Sequence, residues 1–406
     1  MSDAPKDTSS GPESGRAEDP EKDAEKGAEK GLKHRLLVLG AALAVILGIA
    51  TLAGVAGLAP VRASSEHWPV TRWLLDFSMG RAVSTQSLGI REPPLDDPEM
   101  VRRGAAHYQI ACLACHGGPG EPRQQVPMAM TPRPPYVPVE VERWRPRELF
   151  FIVRHGIKLT AMPAWPADGR DDEVWSMVAF LLELPELDAE RYRALAFGEA
   201  TEEGTDEGTI EGGQEVTLSF APPEGLDASL VSLCSRCHGS GGRGREGVAP
   251  RLAGQRAEYL YHSLSAYATG ERPSGTMTMV AAELSVDDAR RLTAYYAGLP
   301  PPRTSVAGAA PAAEASERGS EIAHLGLPHQ KVPSCADCHG PGDGPRNPRY
   351  PRLAGQDAEY LERQLHLFKA GVRGGTQYAR IMNEVASGLE PEQMREVSQY
   401  YAAIGE

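Results

Sequence analysis

With 406 residues the chain has room for two to three domains. Only 6% of the residues are aromatic, while Gly (43) and Pro (34) are frequent, which suits small domains. The net charge of −13, without a cluster of Lys and Arg, argues against nucleic acid as a partner.

Residues 1–35 hold nine acidic and seven basic residues among Ser, Gly and Pro, with almost no large apolar groups. Such a stretch cannot bury enough surface to fold, so a disordered cytoplasmic tail is expected. Residues 36–59, LLVLGAALAVILGIATLAGVAGLA, are uncharged and apolar. As a helix they span roughly 36 Å, enough for a hydrocarbon core of about 30 Å. Lys33, His34 and Arg35 precede the run, and the positive-inside rule puts that end in the cytoplasm and the remainder in the periplasm. A cleaved signal peptide, with Val61-Arg62-Ala63 at the cleavage position, is the rival reading, but the apolar run and the leading tail are both long for one. A single-pass anchor in a bacterial inner membrane is therefore expected, followed by a membrane-proximal linker over residues 60–91.

Residues 92–190 read as a first module. Asp97-Pro98-Glu99 is a helix start, a capping side chain followed by proline in the first turn. That helix should run to Cys112-Leu-Ala-Cys115-His116. Asp171-Asp172-Glu173 opens another, with Trp175, Val178, Ala179 and Leu182 on one face. Residues 191–223, acidic and Gly-rich, read as a linker. The second module, residues 224–299, contains Cys234-Ser-Arg-Cys237-His238 and a last helix that starts at Ser285 and ends near Tyr296. A Pro/Ala-rich linker, residues 300–313, leads to a third module, residues 314–406, with Cys335-Ala-Asp-Cys338-His339 and a last helix from Glu390-Pro391 to near Tyr401. The second and third modules are an internal repeat: Pro250-Arg-Leu-Ala-Gly-Gln255 recurs as Pro351-Arg-Leu-Ala-Gly-Gln356, and Ala-Glu-Tyr-Leu follows in both. Alternating strand patterns are missing throughout, so an all-α fold is expected.

The three Cys-x-x-Cys-His motifs use all six cysteines. This is the attachment signature of c-type haem, in which both thiols add to the haem and the adjacent histidine binds iron. A zinc site needs about four ligands, and no second pair follows any copy. A thioredoxin-like redox pair belongs in a βαβ context, which is not present. Three covalently bound haem c groups are expected, on His116, His238 and His339. An electron-transfer haem usually has a sixth ligand, and methionine raises its potential. Met277 lies eight residues before Ser285, and Met382 eight before Glu390, while the neighbouring Met279 aligns with Glu384. Met277 and Met382 are therefore the expected ligands. In the first module Met162 is expected, ahead of Met128 and Met130, with His155 as a bis-histidine alternative. A methionine that only fills a core gap is the bland reading of each. The free N–H of each proximal histidine should meet a carbonyl. Pro250 and Pro351 are placed for this, and Pro132 is the candidate in the first module. Arg251 and Arg352 are candidates for haem propionates, or simply surface arginines.

These features together resemble class I cytochromes c: a proximal histidine, a proline-led loop, a methionine, then a C-terminal helix. The second and third modules resemble the paired domains of dihaem, membrane-associated cytochromes of bacterial respiratory chains, whose PxLAGQ loop is matched by PRLAGQ. The first resembles single-haem class I domains, and its Gly104-x-x-x-Tyr108 resembles the pair at which that family's terminal helices cross. The second module lacks this pair and the third has Gly319 without the aromatic residue. The resemblance implies three class I cytochrome c domains in tandem. It also implies electron transport between a quinol-oxidising complex (quinol-cytochrome c reductase) and a terminal oxidase, or from a periplasmic dehydrogenase. The expected protein is a membrane-anchored triheme cytochrome c that carries single electrons and is not an enzyme. Its tethered haems have a high effective concentration for one another. The rivals are a docked dehydrogenase subunit and a haem peroxidase or gas-binding protein, the latter opposed by three well-placed methionines.

Overall fold

Side-chain caps start several of the helices. Asp97, Asp227, Ser285 and Asp357 each accept a backbone N–H from the first turn that follows, and Glu390 with Gln393 forms a reciprocal capping box. The computed structural model describes residues 20–58, 61–198, 222, 225–239, 241–301, 313–341 and 346–404. Among these no strand occurs, only isolated bridges such as Gly118–Glu121, so the fold is all-α as expected. The chain divides into two units, Met1–Ser65 and Glu66–Glu406.

The first unit contains α1 (Pro20–Val55), whose stretch Glu29–Val55 is long and apolar enough to cross a membrane. Residues 20–35, expected to be disordered, are helical instead. Their Ala, Glu and Lys residues favour helix, and an i,i+4 ion pair joins Glu29 to Lys33. The rest of the expected tail lies outside the described residues.

In the second unit, α2 (Pro69–Gln86) occupies the stretch expected as linker. Its C-terminal half packs against the first module through Val83, which is fully buried. That module consists of α3 (Pro98–Ala111), α4 (Leu113–His116), α5 (Gln125–Met128), α6 (Val137–Glu140), α7 (Pro146–His155), α8 (Asp171–Glu183) and α9 (Ala189–Phe197). Helix α8 is its central element, buried from Val174 to Leu181. Leu182, on the same face as Trp175, Val178 and Ala179, is 39% exposed. Helices α3 and α8 cross at Gly104, where a β-carbon would overlap the Ser176 carbonyl oxygen. The Tyr108 and Phe180 rings meet beside it at 5.2 Å. Helix α9 lies in the expected linker but belongs to this core, because Tyr192 is buried against both rings. Most of the remaining linker lies outside the described residues.

The second module consists of α10 (Ala228–His238), α11 (Ala257–Ala268), α12 (Met277–Ala282) and α13 (Val286–Gly298). The third consists of α14 (Ala313–Leu325), α15 (Ala336–His339), α16 (Ala358–Lys369), α17 (Ala379–Ser387) and α18 (Pro391–Ala403). In the third module α14 crosses α18 at Gly319, where a β-carbon would overlap the Glu396 carbonyl oxygen. Each module has its own small core, around Phe180, Leu292 and Met394 respectively.

Candidate haem sites

Each motif is one turn of helix. In the first module the N–H groups of Cys115 and His116 both donate to the Cys112 carbonyl, at 3.1 and 3.0 Å. In the third, Cys338 and His339 donate to the Cys335 carbonyl at 3.2 and 2.9 Å. In the second the motif is the last turn of α10. The spacing i, i+3, i+4 therefore places two thiols and one imidazole on one face. A glycine follows every motif histidine. Gly117, Gly239 and Gly340 have φ of +69°, +78° and +85°, a left-handed conformation that strains other residues and ends the helix. Tyr108 donates to the Gly117 carbonyl at 2.6 Å, and Tyr401 to that of Gly340 at 2.7 Å. The repeated His-Gly step is the sequence signal for this helix end.

The Nδ1–H of His238 donates to the Pro250 carbonyl at 2.8 Å, and that of His339 to the Pro351 carbonyl at 2.9 Å. In the first module His116 donates to Pro135 at 3.1 Å, not to the expected Pro132. The loop is pinned three residues further on: Arg123 donates to the Pro134 carbonyl at 2.8 Å, and Tyr136 to that of Gly118 at 3.3 Å. These bonds fix the Nδ1–H tautomer and leave Nε2 of each ring for a metal. Burial pushes the pKa of all three imidazoles down, against the opposing effect of the proline carbonyls, and so favours the neutral ligand form.

Burial, with the neighbouring thiol, pushes Cys112 up to about 12 and Cys335 up to about 11. Burial and Cys237 likewise raise Cys234 to about 11. These are protonated thiols rather than the lowered-pKa thiolates of redox pairs. Two thiols and one imidazole also fall one short of the usual zinc set.

The methionines sit on separate elements. Met162 is half-buried in a turn, its N–H donating to Thr160 Oγ1 at 3.1 Å. Met277 opens α12, half-buried, its N–H donating to Ser274 Oγ at 3.2 Å, whereas Met279 is 39% exposed. Met382 lies on α17 and packs against the third core. Met128 and Met130 are half-buried around the end of α5, and His155 is exposed and lies against Phe151.

Two buried cations join these residues without having stood out in the sequence. Arg272 and Arg373 occupy matching repeat positions, two residues after Gly270 and Gly371, and are 4% and 9% exposed. Arg272 donates to Tyr360 Oη at 3.0 Å and to Gln364 Oε1 at 3.1 Å. Arg373 donates to the same Gln364 oxygen at 2.8 Å and to Tyr259 Oη at 3.0 Å. They also lie over the Tyr267 and Phe368 rings. Among the described residues neither forms an ion pair with a carboxylate, and buried charge is costly unless paired. Burial raises the Tyr259 hydroxyl, but Arg373 and Arg272 outweigh it and hold the group below the usual phenol range. The pair therefore fits anionic groups such as haem carboxylates. Arg251, a candidate for that role, donates one guanidinium N–H to the Gly355 carbonyl and its backbone N–H to Gln356 Oε1 at 2.9 Å.

Residues 99–181 match the family model described as cytochrome c oxidase, cbb3-type, subunit III, and residues 316–402 match that of cytochrome c. The chain is 34% identical over 184 residues to the thiosulfate dehydrogenase electron acceptor of Thiomonas intermedia (strain K12), covering 45% of this chain and 81% of that protein. It is 30% identical over 197 residues to cytochrome c4 of Thiocapsa roseopersicina, covering 48% and 99%. It is 31% identical over 174 residues to the thiosulfate dehydrogenase electron acceptor of Stutzerimonas stutzeri (strain A1501), covering 43% and 79%.

Proposed function

Because this chain belongs to the class I c-type cytochromes, we propose that it is a membrane-anchored triheme cytochrome c that passes single electrons between a quinol-oxidising complex and a terminal oxidase. The observation that carries this reading is the bond made by each motif histidine to a proline carbonyl, His116 to Pro135, His238 to Pro250 and His339 to Pro351. It holds each ring with Nε2 free, as an iron ligand requires.

When bound, haem c supplies the one-electron Fe(III)/Fe(II) couple. The six motif cysteines would hold it covalently. His116, His238 and His339, with Met162, Met277 and Met382, would ligate the iron, a histidine–methionine pairing that raises the potential. Arg272 and Arg373 would hold carboxylates in the second and third modules. Helix α1 would keep the chain in the inner membrane with its haem modules in the periplasm. The modules are residues 92–198, with α9 included, 224–299 and 313–406.

One observation favours a second reading, in which the donor is a periplasmic dehydrogenase: two of the relatives carry the name thiosulfate dehydrogenase electron acceptor.

A spectroelectrochemical titration of the haem-loaded chain, repeated with carbon monoxide, tests the proposal. Three haems per chain, low-spin, at positive potentials and inert to carbon monoxide are the expected result. A haem that binds carbon monoxide in the untreated protein would overturn His/Met ligation at that module. Fewer than three haems would overturn the triheme assignment.

A further inference from the structure

The peptide unit between Pro250 and Arg251 is held from both sides. Its carbonyl accepts His238 Nδ1–H at 2.8 Å, within the second module. Its N–H donates to Gln356 Oε1 at 2.9 Å, in the third. The repeat reproduces this in the opposite sense. The Pro351 carbonyl accepts His339 at 2.9 Å, and the Arg352 N–H donates to Gln255 Oε1 at 2.9 Å. Each glutamine closes its contact with a second bond, Gln255 Nε2 to the Arg352 carbonyl at 2.9 Å and Gln356 Nε2 to the Arg251 carbonyl at 3.1 Å. Both glutamines are 7% exposed, so these bonds lie in a low-dielectric setting where consecutive hydrogen bonds polarise one another.

We propose that Gln255 and Gln356 are positioning residues acting in trans, each tuning the proximal histidine of the other module through a shared peptide unit. An acceptor on the amide N–H shifts electron density onto the same amide's carbonyl oxygen. The stronger carbonyl draws more on the Nδ1–H of the histidine and makes its ring a stronger donor at Nε2. A stronger donor favours the oxidised iron. Gln356 therefore lowers the potential of the haem on His238, and Gln255 that of the haem on His339. The proposal rests on the haem ligation stated above.

The test compares the full haem-loaded chain with Gln356→Leu and Gln356→Glu, following each haem's potential in a redox titration with assigned NMR signals. The leucine variant lacks the acceptor. The glutamate variant keeps and strengthens it, while losing the second bond in common with leucine. The expected result is opposite shifts of the His238 haem, upward with leucine and downward with glutamate, each roughly threefold in its one-electron equilibrium. The His339 haem should move less in both. Gln255→Leu and Gln255→Glu should give the mirror pattern on the His339 haem. Shifts of the same sign for leucine and glutamate, a larger shift on the haem of the glutamine's own module than on the other, or no shift would each overturn the proposal. Haem content measured on the same wild-type sample separates this from a failure of the ligation reading, which would show as an empty second or third module.

Discussion

Glu173, in the first turn of α8, accepts the Gly275 N–H at 2.6 Å, and this contact joins the first module to the second. The same carboxylate accepts Ser274 Oγ–H at 3.0 Å and the Trp165 indole N–H at 3.2 Å, and pairs with Arg170 at 2.7 Å. Gly275 packs against Trp165, where a β-carbon would come within 2.7 Å of the ring. Trp165 and Gly275 each stand close in sequence to a candidate methionine ligand, Met162 and Met277, so two of the three methionine segments meet at one contact.

Glu173→Ala removes an acceptor from three donors and an ion-pair partner from buried Arg170. Arg170 keeps its bidentate pair with Asp172 at 2.8 Å, so the cost should stay below the about 3–5 kcal/mol of a buried charge left wholly unpaired. The urea midpoint should fall accordingly, and the Gly275 amide should lose its hydrogen-exchange protection. An unchanged Gly275 exchange rate would show that the carboxylate does not hold this contact.

The same junction is sensitive to acid. His107 stacks on Trp165 at 4.4 Å and shares a hydrogen bond with Thr276 Oγ1 at 2.7 Å. Burial lowers its pKa to about 4. The unfolded chain, with an imidazole near 6.5, binds a proton that the fold excludes. The contribution of neutral His107 is therefore complete above about pH 6.5 and is lost as pH falls toward 4, by at most roughly 3 kcal/mol. Stability measured across that window should slope less steeply in His107→Gln than in the wild type.

Helix crossings can be separated from ordinary helical glycines. Gly104 has the Ser176 carbonyl and the Phe180 side chain against it, whereas Gly80 in α2 has nothing within 4 Å. Gly104→Ala should force α3 from α8 and cost about 1–3 kcal/mol. Gly80→Ala should stabilise by about 0.5–1 kcal/mol through helix propensity alone. Thermal unfolding of the two variants should shift in opposite directions.

The parts of the fold legible in the sequence are those encoded locally. Asp97-Pro98, Ser285 and Glu390-Pro391 start the helices they are expected to start, and the twelve-residue step from His238 to Pro250 is spanned by a hydrogen bond. Expectation and structure part where tertiary packing decides. Tyr192 is drawn into the first core from a stretch with the composition of a linker, and Pro135 displaces Pro132 because Arg123 and Tyr136 fix the loop. Asp171-Asp172-Glu173 can be recognised as a helix start, but nothing in a single-module pattern tells that Glu173 binds the second module. Arg272 and Arg373 resemble surface residues in the sequence because a lone arginine carries no sign of burial. Their common offset from Gly270 and Gly371 is the available clue.

That pair gives the last prediction. Two guanidiniums donate to one atom, Gln364 Oε1, at 3.1 and 2.8 Å, so two like charges stand close together in a buried setting. Like charges at short range repel strongly where the dielectric is low, and anions between or beside them are needed to offset this. With haem carboxylates in that role, the cations also favour the reduced, less positive iron. Arg272→Gln should then lower a potential in the second or third module by roughly 60 mV, a tenfold change for one electron. Arg272→Lys keeps the charge and should retain most of that potential, although it loses the planar two-donor geometry. A redox titration of the loaded chain checks both. If glutamine and lysine shifted the potential equally, geometry rather than charge would be what Arg272 supplies.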